Sequence, residues 1–355
     1  MFQWPNWPFA QITHDSDGSD NEGRFRKRRK TPARSQLLPS VISNRAVEHQ
    51  QRVEIYKETM QWLKEQVATQ GSLNPVRERA EHNLQTWVNT SCMRTPATPH
   101  TCHVYLVVDD SLNCTYELTR RYGQTFAVLN MANAYTIYGG VRDGSGAQEE
   151  NMVRRTTIIY NTPTSFRQVS APTKYTVEAS ALINAMNDEV MLVTKKTSVC
   201  LRESEDYQPG NIGGYAWMKE DEWFPFYELR SAALNVAYLK RSAPPMYCVD
   251  DEQVVVDMRR RIRAQFKTLM NVGVKHVVLS AFGCGAFGND AFQVAELYVT
   301  ELESFRSEFD VVAFSIFYAG FGETNYQQFH SVFDSAFGQT SGSTAYGIEF
   351  KTHYD

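Results

Sequence analysis

Nothing in this chain approaches the roughly 20 consecutive apolar residues that a membrane helix requires; the longest apolar runs are of strand length. No segment is expected to span a bilayer. Its six cysteines (Cys92, Cys102, Cys114, Cys200, Cys248, Cys284) form no CxxC pair and have no histidine partners at metal-ligand spacing. His100 and His103 flank Cys102 without a fourth ligand in view, so no metal is expected there. No signal-peptide pattern is read ahead of the cysteines, and they are expected to be reduced, mostly buried thiols of an intracellular protein. A net charge of -4 exerts no global pull toward nucleic acid. Internal repeats are missing as well.

What is present is unevenly arranged. The acidic, Gly/Ser-rich "DSDGSDNEG" (15 to 23) runs straight into the basic "RFRKRRKTPAR" (24 to 34). Together with the aromatic "MFQWPNWPF" (1 to 9), this reads as a disordered tail over 1–42. The basic run suits either a solvated arm or a nuclear import signal, so a cytoplasmic or nuclear location is expected, secretion into a host cell staying open. Order is expected from about Ser43, because Val53, Tyr56, Met60, Leu63 and Val67 recur at helical spacing. A second helix is read over 76–88. Strands then alternate with helices: strand signals at 102–108, 125–130, 190–193, 247–249, 276–282 and 311–318, helix signals at 113–122, 252–272 and 290–305. Alternation of this kind implies an α/β fold, a three-layer α/β/α with a mixed, largely parallel sheet. One domain is expected over 43–340, with a C-terminal tail over 341–355. The aromatic and acidic stretch 202–230 reads as a long loop with a hairpin, or a cap that binds a protein.

In a parallel sheet, ligands bind outside the carboxyl ends of the strands. Two loops qualify. The first follows Leu129 and reads "NMANAYTIYGGVRDGSGAQEENMVRR"; the second follows Leu279 and reads "SAFGCGAFGNDAF". Gly283, Gly285 and Gly288 leave little side chain in the way of a phosphate, and backbone N–H groups at a helix start attract anions, although the same spacing occurs where a strand merely packs on a helix. In the first loop, Gly139, Gly140, Gly144 and Gly146 can fold over a ligand while Asn130 and Asn133 present amides at the strand end. Glu149 and Glu150 then open a helix, pointing about 100° apart. One carboxylate can face a ligand while the other orients a ribose or a water, as where carboxylates cleave glycosidic bonds. Acidic residues also favour a first helical turn for its dipole alone.

The stretch "VLNMANAYTIYGGVRDGSGAQEENMVRRT" resembles the signature of the bacterial-type poly(ADP-ribose) glycohydrolases, which have the macrodomain fold and a Gly-rich segment followed by Gln-Glu-Glu. "RVEIYKETMQWLKEQ" (52 to 66) is similar to that family's leading helix, "VLSAFGCGAFGND" to its diphosphate loop and "NYQQFHSVF" (325 to 333) to its closing helix, so the resemblance covers about 45–335. It implies that Glu150 protonates the leaving oxygen of the ribose glycosidic bond and then activates water. Glu149 would hold the ribose hydroxyls, Gln148 would support the loop, and Asn133, with Asn130, would bind the distal ribose. Gly283, Cys284, Gly285, Ala286 and Phe287 would wrap the diphosphate, Phe317 or Tyr318 would stack on adenine, and Asp110 would read the adenine amine. The chemistry needs neither metal nor cofactor. The implied partner is ADP-ribose or an ADP-ribosylated protein, with no membrane or nucleic acid, and a monomer is expected.

The departures from the family pattern bear on specificity. The family usually has Pro-Gly-Gly-Gly where this chain has Tyr138-Gly139-Gly140-Val141. Valine disfavours positive φ and adds a branched side chain where backbone should approach the ligand. Asp143 becomes a further catalytic candidate, because a carboxylate beside the site can pair with a guanidinium. The expected activity is removal of poly- or mono-ADP-ribose from proteins, with an arginine-specific mono-ADP-ribosyl hydrolase, a non-catalytic reader and an interaction protein as alternatives.

Overall fold

The computed structural model describes residues 39–90, 101–208, 210–242, 251–317, 324–338 and 347–354. They belong to one compact unit, Pro39–Asp355. The expected N-terminal tail through residue 38 and the strand read at 247–249 lie outside the described residues, as do Tyr318, Cys92, Cys248 and His100. Among the described residues no helix is long and apolar enough to cross a membrane.

Two helices lead, α1 (Pro39–Gln70) and α2 (Asn74–Thr90), and alternation follows. It runs β1 (Cys102–Val107), α3 (Ser111–Tyr122), β2 (Ala127–Met131), α4 (Gln148–Arg155), α5 (Ile158–Asn161), α6 (Val177–Ile183) and β3 (Met191–Cys200). Next come β4 (Glu205–Gln208), β5 (Asn211–Gly214), β6 (Phe224–Ser231), α7 (Val236–Ser242), α8 (Asp251–Asn271) and β7 (His276–Leu279). The chain continues through α9 (Ala291–Phe305), β8 (Val311–Ser315), α10 (Thr324–Phe337) and β9 (Ile348–Lys351). Seven strands form one sheet in the order β3-β6-β2-β7-β8-β1-β9, and β4 and β5 form a separate hairpin. Among the described residues, only the β3–β6 pairing in the large sheet is antiparallel.

Strand periodicity explains the layers. Along β2, β7 and β8, Leu129, Leu279 and Phe314 face one side and pack with Ile262 and Phe266 of α8, Tyr298 of α9 and Phe329 and Phe333 of α10. On the other side, Val128 packs with Met152 and Val153 of α4, while Val278 and Ala313 pack with Leu118 of α3. Strands buried on both faces read as near-continuous apolar runs, which is why β1, β7 and β8 were visible in the sequence.

Three elements differ from the sequence expectation. The end of the 202–230 stretch, from Phe224, is β6, an interior strand, and β4–β5 is the expected hairpin. Residues 348–351, read as tail, pair with β1 as the sheet's edge strand. β3 extends well past the four apolar residues that announce it, through a register shift between Val193 and Ser198. Cys102, Cys114 and Cys200 are buried free thiols, and Cys284 is half-buried and free.

Candidate active site

β2 and β7 are parallel neighbours, so the loops after Met131 and Leu279 leave the same edge of the sheet side by side. Gln148, the first residue of α4, anchors the first loop. Its amide nitrogen donates to Leu129 O at 2.6 Å and its carbonyl accepts from Met131 N at 2.9 Å. The helix start is thereby tied to the strand end, and the next two side chains are aimed by it.

Those side chains are Glu149 and Glu150, 2% and 6% exposed. Glu149 Oε2 accepts from Asn133 N at 2.8 Å, and Glu150 Oε1 accepts from Gly140 N at 2.8 Å. One backbone N–H from each side of the loop therefore holds one oxygen of each carboxylate. The other oxygens, Glu149 Oε1 and Glu150 Oε2, are buried and have no hydrogen-bond partner. Both carboxylates converge on Gly139: a Cβ there would fall on Glu150 Oε1 and lie 3.2 Å from Glu149 Oε2. With φ +52°, Gly139 also occupies the left-handed region, where a glycine is at ease.

Val141 does not obstruct this arrangement. The left-handed conformations fall on Tyr138 (φ 67°) and Gly139, while Val141 begins a 3-10 turn, Val141–Asp143, and turns its side chain inward against Ile137, Tyr138 and Met152. The sequence concern about a branched residue at that point is answered by the side chain joining the core. Asp143 is exposed on that turn, whose neighbour is α1. Its backbone N–H donates to Gly140 O at 3.0 Å.

The sheet supplies a charge beneath the glutamates that the sequence reading missed. In β6, Phe224, Phe226, Glu228 and Arg230 share one face. Arg230 is fully buried; its Nε and Nη2 donate to Glu228 Oε1 at 2.9 and 2.6 Å and its Nη1 donates to the Tyr175 hydroxyl at 2.7 Å. That same Nη1 lies 3.9 Å from Glu149 Oε1, within ion-pair range and beyond hydrogen-bond range. Burial pushes the Glu149 carboxyl up to about 8; Arg230 pulls it down, and the adjacent Glu150 pushes it up again. Near neutral pH, Glu149 thus keeps its proton in a large fraction of molecules. The signal that could have revealed Arg230 is the alternation in "FPFYELRS", with Glu and Arg two apart continuing an aromatic face.

A second buried network holds the far end of the Gly-rich loop. Arg52 of α1 makes two bonds to Glu205 of β4, at 3.0 and 2.7 Å, and the Tyr215 hydroxyl donates to the same carboxylate at 2.7 Å. Arg154 of α4 donates from Nε to that hydroxyl at 2.9 Å and from Nη1 to Ser145 O at 2.7 Å. Burial works against the Glu205 charge, yet the bonds from Arg52 and Tyr215 hold it below the usual carboxylate range. The loop can approach Arg52 only because residue 146 is glycine: a Cβ there would come within 2.8 Å of the guanidinium carbon.

The remaining candidates divide. Asn133 uses its Oδ1 on Tyr135 N and Thr136 N, both at 2.9 Å, leaving its amide NH2 as the group it can offer. Asn130 is fully buried and donates to Glu228 Oε1 at 2.6 Å, which turns it into the sheet. Asp110 is the N-cap of α3, accepting from Leu112 N and Asn113 N, and is paired with Arg155; its Oδ1 is occupied by the fold. Phe317 follows β8 and is 46% exposed.

In the second loop, Gly285 and Ala286 are exposed and Cys284 and Phe287 half-buried. Among the described residues, no carbonyl accepts from the backbone N–H groups of Gly285, Ala286 or Phe287. The loop is braced instead by Asn289, whose Nδ2 donates to Leu234 O and Gly283 O, and by Ala237 N donating to Phe287 O. Burial pushes the Cys284 thiol up, away from the thiolate form that nucleophilic attack requires.

Residues 44–191 match the family model of the microbial-type PARG catalytic domain. The matched segment contains the Gly-rich loop and the glutamate pair; the loop at 280–288 lies outside the match. No curated protein matches the chain. Poly(ADP-ribose) glycohydrolase from Thermomonospora curvata is similar in structure, with 19% identity over 80% of this chain and 100% of that one and a TM-score of 0.50. The same organism's enzyme bound to the inhibitor ADP-HPD gives 19% identity over 79% and 99%, with a TM-score of 0.50. At this identity the likeness is one of fold, the macrodomain-like three-layer α/β/α.

Proposed function

We propose that a chain whose residues 44–191 match the microbial-type PARG catalytic domain is an ADP-ribosyl hydrolase, cleaving the ribose glycosidic bond to release ADP-ribose from modified proteins. The observation that carries the reading is the pair of buried carboxylates, each held by one backbone N–H and each left with one oxygen unpartnered. Buried acceptors without donors cost free energy, and a polyhydroxylated ligand supplies donors. ADP-HPD bound to the T. curvata enzyme is consistent with an ADP-ribose-shaped occupant.

In this reading Glu149 Oε1 accepts a ribose hydroxyl and Glu150 Oε2 faces the glycosidic oxygen. The upward shift of Glu149 makes a proton available beside Glu150 near neutral pH. Glu150 passes a proton to the leaving oxygen as the C–O bond breaks; water then adds to the anomeric carbon and returns a proton to Glu150. Asn133 offers its amide to the distal ribose. The free N–H groups of Gly285, Ala286 and Phe287 take the diphosphate oxygens, and Phe317 and Tyr318 are the adenine-stacking candidates. Asn130 and Asp110 support the site from within the fold, and Asp143 is not needed for the step.

The test is incubation of the protein with mono- and poly-ADP-ribosylated substrates beside a titration with free ADP-ribose. Release of ADP-ribose is expected. Tight binding with no release from any substrate would replace the hydrolase by a reader.

A further inference from the structure

Arg230 has a donor to spare beneath the glutamate pair. Its Nε and Nη2 reach Glu228 Oε1 at 2.9 and 2.6 Å, Nη2 also reaches the Thr162 hydroxyl at 3.4 Å, and Nη1 donates to the Tyr175 hydroxyl at 2.7 Å. The Nη1 of a guanidinium carries a second hydrogen, and among the described residues that hydrogen has no acceptor. Glu149 Oε1, 3.9 Å from the same nitrogen, is buried and has no donor. A buried cation and carboxylate would ordinarily close such a gap, since a charge-assisted bond is roughly twice as strong as a neutral one. The double grip on Glu228 and the tether to Tyr175 hold it open. The guanidinium also lies over the Tyr138 ring, 5.0 Å from its centroid. Tyr138 leads into Gly139, which packs against both glutamates, and Gly140, whose N–H holds Glu150.

Several elements act on Glu149: Arg230 and Glu228 from β6, Glu150 from α4, the Asn133 N–H from the Gly-rich loop and the Tyr175 hydroxyl from the segment before α6. Arg230 is the cation in this set, and its pull is larger than the push of either Glu150 or Glu228. At 3.9 Å the pull falls short of a hydrogen bond, and burial still carries the carboxyl up to about 8. We propose that Arg230 is a positioning residue for the reaction, and that the Tyr175 hydroxyl, by tethering Nη1 out of hydrogen-bond reach of Glu149, leaves Glu149 able to hold a proton beside Glu150. The inference rests on the hydrolase reading given above and adds to it two residues that act through Glu149 and set the upper pH limit of the step.

Two variants move Glu149 in opposite directions. Tyr175→Phe removes one oxygen, releases Nη1 to tilt onto Glu149 Oε1, and lowers the pH at which Glu149 loses its proton by about one unit, the low end of what a cation in contact does. Arg230→Met combined with Glu228→Gln removes the cation together with its buried counter-charge and raises that pH by about one unit. Each background is read in two ways. The Tm gain from adding Glu149→Gln rises with pH and levels off where the folded Glu149 has ionised. The alkaline fall in kcat/KM for ADP-ribose release, which reports groups of the free enzyme, comes at the same pH. Both readouts move down in Tyr175→Phe and up in the double variant, whereas a merely structural role moves neither. Tyr175→Phe is the milder change and is decisive alone: a pH that stays where it is in the wild type, or moves up, would overturn the proposal. Opposite shifts in the Tm curves with no release of ADP-ribose in any background would leave the pairing of Arg230 with Glu149 standing and overturn the hydrolase reading instead.

Discussion

Replacing Gly139 with alanine puts a methyl group where the structure already holds a carboxylate. The new Cβ would fall on Glu150 Oε1, 3.1 Å from Glu150 Cδ and 3.2 Å from Glu149 Oε2. Neither carboxylate can retreat easily, since both are buried and each is held by a backbone N–H. At φ +52° the alanine also takes a left-handed conformation, at about 1–2 kcal/mol. If the turn moves away and breaks the Gly140 N–H bond to Glu150, a charge-assisted bond worth about 1.5–3 kcal/mol is lost as well. The expected sum is roughly 3–4 kcal/mol, a fall in Tm on the order of 4–5 °C for a chain of this size. Activity falls further, because displacing a catalytic group by about 1 Å costs on the order of 100-fold in rate. Thermal unfolding followed by circular dichroism and release of ADP-ribose from polymer measure the two effects. A Gly139→Ala protein with wild-type Tm and wild-type turnover would refute the geometry on which the site rests.

Other outcomes follow from the same contacts. Because the folded Glu149 carboxyl is raised to about 8 from its ordinary 4.5, its contribution to stability is full below about pH 4.5 and is lost as pH rises through 8; Glu149→Gln, which does not titrate, should gain in Tm relative to wild type between pH 5 and pH 8, and a constant difference across that range would contradict the shift. Gly285 has open space where an added methyl would sit and no left-handed φ, so Gly285→Ala should keep the wild-type Tm yet bind ADP-ribose more weakly by calorimetry; unchanged affinity would remove the second loop from the site. Glu205→Ala strands Arg52 and the Tyr215 hydroxyl in a buried setting and should cost about 3–5 kcal/mol in urea unfolding, whereas a loss of less than about 1 kcal/mol would show that the network adds little.

The layered fold was legible because its central strands are buried on both faces. "CHVYLV" and "VVAFS" leave little polar interruption, and the helices between them carry their own stops, Gly123 closing α3 in a left-handed conformation and Asp290 capping α9 through Gln293 N. β6 was not legible because Glu228 and Arg230 interrupt its apolar run; in the fold they neutralise each other within the sheet. β9 is short and half polar, as an edge strand can be. At the site, the glutamates, Gln148 and the glycines followed from the loop's composition. Arg230, far along the chain from the loop's first glycines, becomes their neighbour only when β6 pairs with β2. Valine at 141 looked obstructive in a linear pattern, since a sequence does not say which residue of a turn takes the positive φ. The pairing of Asp110 with Arg155 was hidden in the same way, because Arg155 comes from another helix.

The central claim is that Glu150 moves the proton at the glycosidic bond. Glu150→Gln keeps the side chain's size and can still accept from Gly140 N–H, but it has no carboxyl to exchange a proton. Measured on ADP-ribosylated protein beside an ADP-ribose titration, this variant should bind ADP-ribose within a few-fold of wild type and lose about 100-fold or more in kcat. Turnover near the wild-type rate, with binding intact, would contradict the account and move the proton to another group.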